Sequence, residues 1–378
     1  MTHFSSGLSL NPDAAVALDE ALSDSAEDAD LAVLFVSHHH LRRVPELVRQ
    51  LRGSLPGSVV VGCTAAGVIG ADREVEDSAS LSILTGSLPG ITLTPFCVDP
   101  SGGAPSVEAW RDHLGAAPRG CLLLSDPYSV DLQQVLAPLG EALGGAPLVG
   151  GQASGGRRAG THALFAGEEI AWGGLVGLGI SGPIQIETRV AQGCRPIGAP
   201  MFVTACEGNR ILSLDGRPPI EALREVYTGL SPVDQALFHS ALSIGVQMRD
   251  QREYHPGDFL IRNILGVPRD QRGLAVAYKP ERFGIVQLHL RDAEAARADL
   301  EAVLRIEGPS PAATLLFTCV GRGEGLFGEP DHDSTAFRER FGDVPLCGLF
   351  CNGEVGPVQG VPYVHGYTSI FASFHDVA

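Results

Sequence analysis

The sequence predicts an α/β protein made of repeated strand–helix–strand–turn–strand units, which form helix-covered sheets, with a strand-rich region in the middle. Three observations support this fold class. Two segments show the same order of patterns at one constant offset, and a third segment near the C-terminus follows the same order. The strands of all three segments are continuous apolar runs joined through helical stretches, which is typical of sheets that helices cover.

The first unit begins with a helical stretch at residues 14–21 and a buried strand at residues 31–37. A second helical stretch, at residues 41–51, leads to a strand at residues 59–67 that runs into a turn of small residues. A further apolar run follows at residues 80–84. Strands that are apolar along their whole length indicate burial on both faces of a sheet.

The second unit repeats this order of elements. Its helices and strands are predicted at residues 107–114, 121–125, 131–143, 147–155 and 175–180. Ser37 and Gly62 are separated by 25 positions, and so are Ser125 and Gly150. Both landmarks therefore shift by 88 positions between the first two units, which indicates an internal repeat.

The third unit lies near the C-terminus. Its elements are predicted at residues 293–304, 315–319, 335–341, 345–350 and 368–372. A glycine-rich insert at residues 321–328 follows its first strand and accounts for the longer spacing in this copy. Residues 184–290 differ from the units, because they are rich in short strands and contain one predicted helix at residues 219–227.

Composition excludes some classes of partner. The chain has 27 Lys and Arg against 44 Asp and Glu, a net charge of -17, which disfavours binding to nucleic acid. No apolar run approaches the ~20 residues of a membrane span, so we expect no membrane insertion. The eight cysteines are scattered through apolar runs and no signal peptide is recognisable, so we expect free thiols and a cytoplasmic location.

The loops after parallel strands gather at one end of a sheet, and ligands bind there. The repeat therefore predicts which polar residues meet, and the set suits a small zwitterionic or carboxylate-bearing ligand. From the first two units these candidates are Ser37, His38, Cys63, Thr64, Ser125, Asp126, Gln152 and Ser154. From the third unit they are Cys319, Arg322, Cys351, Asn352 and Glu354. Whether all three units share one cleft is left open by the sequence.

Two chemistries remain open for this set. Arg322 stands between two glycines after a buried strand, where it either clamps an anion or pairs with a carboxylate of this chain, such as Glu354. Cys319 or Cys351, with His365 as base and Glu354 beside it, would alternatively form a thiol or acid–base enzyme. Three adjacent histidines from His38 onward point in different directions, which disfavours a metal site there.

Several motifs, taken in order, resemble the FIST family, whose name stands for F-box and intracellular signal transduction. Residues 61–64 and 149–151 look like its N-terminal domain, and residues 192–198 look like its junction region. Residues 258–264, 290–293, 319–323 and 353–357 are similar to its C-terminal domain, and the chain ends on a similar stretch at residues 365–369. The resemblance implies an N-terminal domain at residues 1–222, with repeats at about 10–95 and 96–183, and a C-terminal domain at residues 223–378, with the third repeat from about 285.

The resemblance also implies a function. It suggests a stand-alone sensory module, not an enzyme, that binds a small ligand such as an amino acid and acts through a separate signalling protein. Some relatives resemble haem-based gas sensors, so a histidine-ligated haem is a further alternative. Within the matching stretches, Arg262, Asn263, Arg291 and His365 are the added candidates for ligand contact, whereas Asp292 is expected to cap the helix from Ala293.

Overall fold

The computed structural model describes residues 1–26, 28–270 and 272–377. The chain divides into two compact bodies. The first, which we call the sheet body, comprises Met1–Ala191 and Leu300–Ala378, and the second, the barrel body, comprises Gln192–Asp299. The predicted α/β class is confirmed, and the strand-rich middle region corresponds to the barrel body.

Within the described residues, the sheet body contains three six-stranded sheets with the same strand order. The first sheet runs β1 (His3–Ser9), β6 (Leu81–Ser87), β2 (Leu31–Ser37), β3 (Val59–Ala65), β10 (Leu164–Ala166) and β11 (Glu169–Ala171). The second runs β7 (Thr92–Val98), β12 (Leu175–Ser181), β8 (Pro118–Ser125), β9 (Leu148–Gln152), β22 (Glu354–Val358) and β23 (Val361–His365). The third runs β13 (Ile184–Gln192), β24 (Thr368–Asp376), β20 (Ala313–Cys319), β21 (Leu346–Cys351), β4 (Gly67–Gly70) and β5 (Arg73–Glu76).

Each sheet has one parallel pair at its centre, β2 with β3, β8 with β9, and β20 with β21. The hairpin that follows each pair along the chain does not stay in its own sheet. The first unit sends β4–β5 to the third sheet, the second sends β10–β11 to the first sheet, and the third sends β22–β23 to the second sheet. The sequence does not predict this cyclic exchange, because apolar patterns indicate where strands lie but not which sheet each strand joins.

One helix precedes and one bridges each parallel pair. In the first two units these are α1 (Ala14–Ala21), α2 (Val44–Ser54), α3 (Val107–Leu114) and α4 (Leu132–Leu143), with 3₁₀ turns at His38–Arg43 and Pro100–Gly102. In the third they are α7 (Ala293–Leu304) and α9 (His332–Phe341), with the short α8 (Glu324–Phe327) in the glycine-rich insert. Asp292 caps α7 as predicted, accepting from the N–H groups of Glu294 and Ala295.

The three sheets share one apolar core. It includes side chains from every sheet, and Phe35 of β2 meets Phe317 of β20 edge-on with ring centroids 6.2 Å apart. The helices bury a separate apolar layer against the other face of each sheet. Both faces of the central strands are therefore buried away from solvent, which explains their continuous apolar sequences.

One glycine in each unit allows the parallel strands to approach closely. A Cβ at Gly62 would overlap the carbonyl oxygen of Leu34 on the neighbouring strand. Gly150 faces the same obstacle at Leu123, and Gly348 at Leu316. The predicted equivalence of Gly62 and Gly150 is thus a packing requirement that the third unit shares.

The barrel body is a closed six-stranded barrel. Its strands, in spatial order, are β14 (Cys194–Glu207), β15 (Arg210–Leu214), β18 (Leu274–Val276), β17 (Phe259–Gly266), β16 (Leu242–Gln247) and β19 (Ile285–Arg291). The predicted helix is present as α5 (Pro219–Gly229), whereas α6 (Pro232–Ala241) was not predicted. Its signal was Ser231, whose hydroxyl caps the helix, followed by Pro232 in the first turn.

Among the described residues, no helix combines the length and apolar character that crossing a bilayer needs. All eight cysteines are free thiols.

Candidate functional site

The first parallel strand of each unit has a polar residue at, or directly after, its carboxyl end. These three residues, which we call the strand-end ring, are Ser37, Asp126 and Cys319. Because Leu34 pairs with Gly62 and Leu123 with Gly150, the counterpart of Ser37 is Asp126, one position beyond the Ser125 that the 88-residue offset predicted. The side chains two positions earlier all belong to the shared core, so strand alternation turns the ring toward the core as well. All three ring members are buried. The ring places a polar layer at the carboxyl ends of the parallel strands, where ligands of α/β sheets bind.

Asp126 is paired with a histidine that the sequence analysis did not single out. Its Oδ1 lies 2.8 Å from His162 Nδ1, and both side chains are fully buried. His162 Nε2 accepts the backbone N–H of Gly156 at 3.1 Å, which assigns the ring proton to Nδ1. The buried Asp126 Oδ2 has no partner among the described residues. No spacing motif joins the two residues in sequence, so only the fold reveals this pair.

Glu354 occupies a position that is apolar in the other two units. It lies opposite Gly151 in the pairing of β22 with β9. The corresponding hairpin residues are Val68, opposite Leu349, and Leu164, opposite Cys63. Val68 and Leu164 are fully buried members of the shared core, and Glu354 is equally buried. A carboxyl group therefore stands where the fold elsewhere places an aliphatic side chain.

The surroundings of Glu354 disfavour its ionised form. Burial raises the pKa of this carboxyl well above its ordinary value, and the donors around it offset this only in part. Its Oε2 accepts the backbone N–H of Thr368 at 3.4 Å, and the Cys319 thiol hydrogen-bonds to the carboxyl group. Its Oε1 has no partner among the described residues, although such buried groups are normally paired.

Arg322 lies fully buried beside this carboxyl group and makes a two-pronged ion pair. Its Nε and Nη2 donate to Asp333 at 3.0 and 2.9 Å. Burial alone would raise the pKa of Asp333, but the Arg322 charge and donors including His332 and Ser369 lower it below its ordinary value. The sequence analysis left open an anion clamp or a pair with Glu354; the carboxylate bound to Arg322 is Asp333, at the start of α9.

One donor of Arg322 remains unused. Its Nη1 has no partner among the described residues. The guanidinium carbon lies 5.2 Å from the ring centre of Phe327, which closes one side of the group. Glu74, from the first unit's hairpin, adds another buried carboxyl group that interacts electrostatically with Arg322. The cluster around Arg322 thus combines one arginine with three buried acids, Asp333 and Glu354 from the third unit and Glu74 from the first.

The comparison with known protein families decides the identity of the chain. The model of the FIST N domain matches residues 30–217, and that of the FIST C domain matches residues 219–357. The protein belongs to the FIST family. FIST domains are associated with sensory signal transduction and small-ligand binding.

Two mycobacterial relatives span nearly the whole of this FIST protein, and a plant relative matches a short part of it. The uncharacterized protein Rv0628c of Mycobacterium tuberculosis is 35% identical over 382 residues, covering 98% of this chain and 99% of its own. The uncharacterized protein Mb0898c of Mycobacterium bovis is 34% identical and covers 98% of both. The F-box/LRR-repeat protein At5g63520 of Arabidopsis thaliana is 38% identical over 81 residues, 20% of this chain and 15% of its own.

Among solved structures, a cyanuric acid hydrolase from A. caulinodans aligns over 100% of both chains at 11% identity with a TM-score of 0.39. A likeness of this strength carries no functional argument. Within the described part of the FIST chain, no group of three or more His, Cys, Asp or Glu residues is arranged to hold a metal ion.

Other predicted residues of the sheet body lie around the strand ends without forming a single cluster. Ser37 accepts from the N–H of Ser80 at 3.0 Å, and Thr64 accepts from the N–H of Ala163 at 3.0 Å. The Asn352 side chain is exposed and donates to the carbonyl of Ala153. Ser154 is buried between the N–H of Ala66 and the carbonyl of Phe350, and Gln152 is partly buried. Ser125 is buried and His38 is partly buried, and neither the Ser125 hydroxyl nor His38 Nδ1 has a hydrogen-bond partner among the described residues.

Three predicted residues belong to the barrel body. Arg262 and Asn263 lie on β17, and Arg291 ends β19. The Arg262 guanidinium donates to the carbonyl of Ile261 at 2.8 Å. Each of the three side chains is partly or fully exposed.

The surroundings of the cysteines named in the thiol-enzyme alternative disfavour their thiolate forms. Cys319, Cys351 and Cys63 are buried, and burial raises the pKa of each thiol above its ordinary value. A nucleophilic cysteine needs the opposite shift. His365, the predicted base, sits opposite Glu354 in the β22–β23 hairpin, and its Nε2 contacts the Gly356 carbonyl at 3.1 Å.

Proposed function

We propose that this FIST protein is a cytoplasmic sensor that binds a small zwitterionic or carboxylate-bearing ligand, such as an amino acid, at the strand-end ring together with Arg322 and Glu354. The observation that carries the proposal is the set of buried polar atoms that lack a partner among the described residues, namely Arg322 Nη1, Glu354 Oε1 and Asp126 Oδ2. Buried polar groups are normally satisfied, and leaving one unpaired costs about 1–3 kcal/mol. A ligand that supplied these partners would recover that free energy.

The types of the unpaired atoms favour a zwitterion. Arg322 offers a donor to a carboxylate, while Glu354 and Asp126 offer acceptors to an ammonium group. An incoming ammonium group would also stabilise the ionised form of Glu354, since an opposite charge favours the charged state. In this arrangement Glu354 would release its proton when the ligand binds, and the ligand's ammonium group would pair with the resulting carboxylate.

Access to the buried cluster requires the glycine-rich insert to move. Arg322 is carried by this insert, and α8 within it is bounded by Gly323 and Gly328, both with positive φ. Glycine tolerates such conformations and their interconversion better than other residues. Opening and closing of the insert supplies two states, and a ligand that binds one of them more tightly shifts their populations. A separate signalling protein would read that shift.

The proposal is tested by thermal unfolding of the full chain with the proteinogenic amino acids and a set of small carboxylates. A ligand at about 100 times its Kd stabilises the folded state by ~2.7 kcal/mol. Glu354→Gln removes the carboxyl group that would pair with the ligand's ammonium group. Arg322→Met removes the guanidinium donor that would bind the ligand's carboxylate. Both variants should weaken binding by about 1.5–3 kcal/mol, the range for a hydrogen bond to a charged group.

The matched control is Arg189→Met. Arg189 is also a buried arginine of the sheet body, but it pairs with Glu187 and donates to the carbonyls of Val303 and Ile306. This variant should lose stability and keep the ligand-induced shift. A shift that survives in both Glu354→Gln and Arg322→Met would place the ligand elsewhere. The haem alternative is checked by the visible absorption spectrum of protein purified from haem-fed cells.

A further inference from the structure

The barrel body carries two exposed phenylalanines on one rim. Phe202 ends the pairing of β14 with β19 and is 51% exposed, and Phe283, in the turn before β19, is 63% exposed. The backbone joins them closely, because Phe283 donates its N–H to the carbonyl of Val203 at 2.7 Å and Val203 donates to the carbonyl of Gly284. We call Phe202, Phe283 and the adjacent Glu281 and Arg282 the aromatic rim.

Phe283 is held in an unusual backbone conformation. Its φ is +70°, a region that bulky residues rarely adopt. Asparagine or glycine would fit this turn with less strain, and either would avoid exposing an apolar ring. The two hydrogen bonds to Val203 lock the turn and keep the ring in solvent. A strained residue that presents an apolar ring outward is a feature of functional surfaces more than of simple turns.

The barrel body differs from the rest of the chain in its net charge. Residues 192–299 contain 13 Lys and Arg and 13 Asp and Glu, whereas the other residues contain 14 and 31. The whole net charge of -17 therefore lies outside the barrel body. Two copies that approach through the acidic sheet body repel each other, and two copies that approach through the neutral barrel body do not.

The aromatic rim is also complementary to itself. Glu281 and Arg282 are neighbours of opposite charge, and both are exposed. The Arg282 guanidinium carbon lies 4.8 Å from the centre of the Phe283 ring. In a two-fold dimer each patch meets its own copy, so a contact of Glu281 with Arg282 of the second copy would occur twice. Aromatic and arginine side chains are the residues that contribute most to such interfaces.

We propose that the aromatic rim is a homodimer interface through which two copies of this chain associate by a two-fold axis, with the Phe202 and Phe283 rings at its centre and Glu281 facing Arg282 of the second copy. The ligand site of the sheet body then occurs twice per assembly, and the proposal stands independently of what that site binds.

The test is sedimentation velocity of the full chain over a concentration range from about 1 to 200 μM, which spans the affinities of weak and moderate interfaces. The wild-type protein should pass from monomer to dimer. Phe283→Asn introduces a residue that tolerates positive φ and removes the aromatic ring. The variant should therefore fold normally, and its dimer should be weaker by at least about thirtyfold. Phe202→Ser should have a similar effect.

The matched control is Leu265→Ser, which removes another exposed apolar side chain of the same barrel body. Leu265 is 60% exposed and lies near the end of β17 remote from the aromatic rim, because β17 pairs Phe259 with Gln247 and Asn263 with Ser243. This variant should dimerise as wild type does. Glu281→Arg should weaken the dimer, and combining it with Arg282→Glu should restore it.

A wild-type protein that stays monomeric over the whole range would overturn the proposal and leave the aromatic rim to a different partner. A dimer that tolerates both ring substitutions would equally overturn it, because the interface would then lie elsewhere. Circular dichroism of each variant confirms that a lost dimer does not reflect a lost fold.

Discussion

The hairpins of the first and third units occupy corresponding positions in the fold, but they differ in the side chain that they bury. Each has a glycine two positions after the second parallel strand, Gly67 in the first unit and Gly353 in the third, and both hairpins pair with a neighbouring unit's sheet. The first unit buries Val68 in the shared core, and the third buries Glu354 at the corresponding position. The difference shows how a repeated fold acquires a site: packing fixes most positions in all units, and one unit replaces apolar residues with ionisable ones.

The largest effect is expected from removing the carboxylate that neutralises Arg322. Asp333→Ala leaves a fully buried guanidinium without its ion pair and should destabilise the protein by about 3–5 kcal/mol. The measurement is the free energy of unfolding from urea titration. Asp343→Ala is the control, since Asp343 is almost fully exposed and its loss should change stability by less than about 0.5 kcal/mol. If Asp333→Ala and Asp343→Ala changed the stability equally, Arg322 and Asp333 would not form a buried ion pair.

A somewhat smaller loss is expected from the shared packing glycines. Alanine at Gly62 or Gly348 would force its Cβ against a backbone carbonyl of the adjacent strand, and each variant should lose about 3 kcal/mol. Gly53→Ala is the control, because Gly53 lies in α2 with no atom near its added Cβ, and it should gain ~0.5–1 kcal/mol. Tolerance at either strand glycine would show that the units are less alike than their strand orders suggest.

The sequence predicted the parts of the fold that depend on local pattern. The apolar strands, most of the helices and the equivalence of Gly62 with Gly150 follow from periodicity and spacing, because packing acts on each unit in the same way. The exchange of hairpins between sheets did not follow. It depends on long-range pairing, such as Val68 with Leu349, for which the sequence carries no local mark.

The candidate site was predicted to a smaller extent. Strand order predicted that Cys319, Arg322 and Glu354 lie near the carboxyl ends of strands, and their side chains interact with one another in one buried cluster; their role in ligand binding stays a prediction. The partners Asp333 and Glu74 were missed. Asp333 stands at the start of a helix and Glu74 on an exchanged hairpin, so both reach Arg322 only through tertiary structure.

Restoring the aliphatic chemistry of the other units should stabilise the third. Glu354→Leu places at this position the residue that the second unit has at Leu164, and it removes a buried carboxyl with an unpartnered oxygen. We expect a gain of about 1–3 kcal/mol at neutral pH, as when buried ionisable groups are replaced by apolar ones. The same variant should lose all ligand-induced stabilisation. Glu46→Leu, at an exposed helix position, is the control, and a loss of stability in Glu354→Leu would mean that the carboxyl group is structural.

The last expected effect is a change in pH dependence, and it concerns Glu74. Burial, and then the negative charge of Asp333, raise the pKa of Glu74 from 4.5 to about 8. Its Oε1 accepts the N–H of Ser334 at 2.7 Å, which Gln can reproduce, and its Oε2 has no partner among the described residues. Between pH 4.5 and 8 the folded state therefore holds one proton more than the unfolded state at this residue.

The sign of the effect follows from that proton. Where the folded state binds more protons, the free energy of unfolding falls as pH rises, by up to ~1.4 kcal/mol per pH unit for one group. Stability from protonated Glu74 is thus fully present below pH 4.5 and is lost as pH rises to about 8. Glu74→Gln keeps the neutral hydrogen-bonding shape at every pH, so its stability should fall less steeply over this interval. Urea titrations at half-unit pH steps, with Glu46→Gln as the exposed control, measure the difference in slope. Parallel curves for wild type and Glu74→Gln would show that the Glu74 carboxyl is ionised in the folded protein, with Arg322 compensating two carboxylates instead of one.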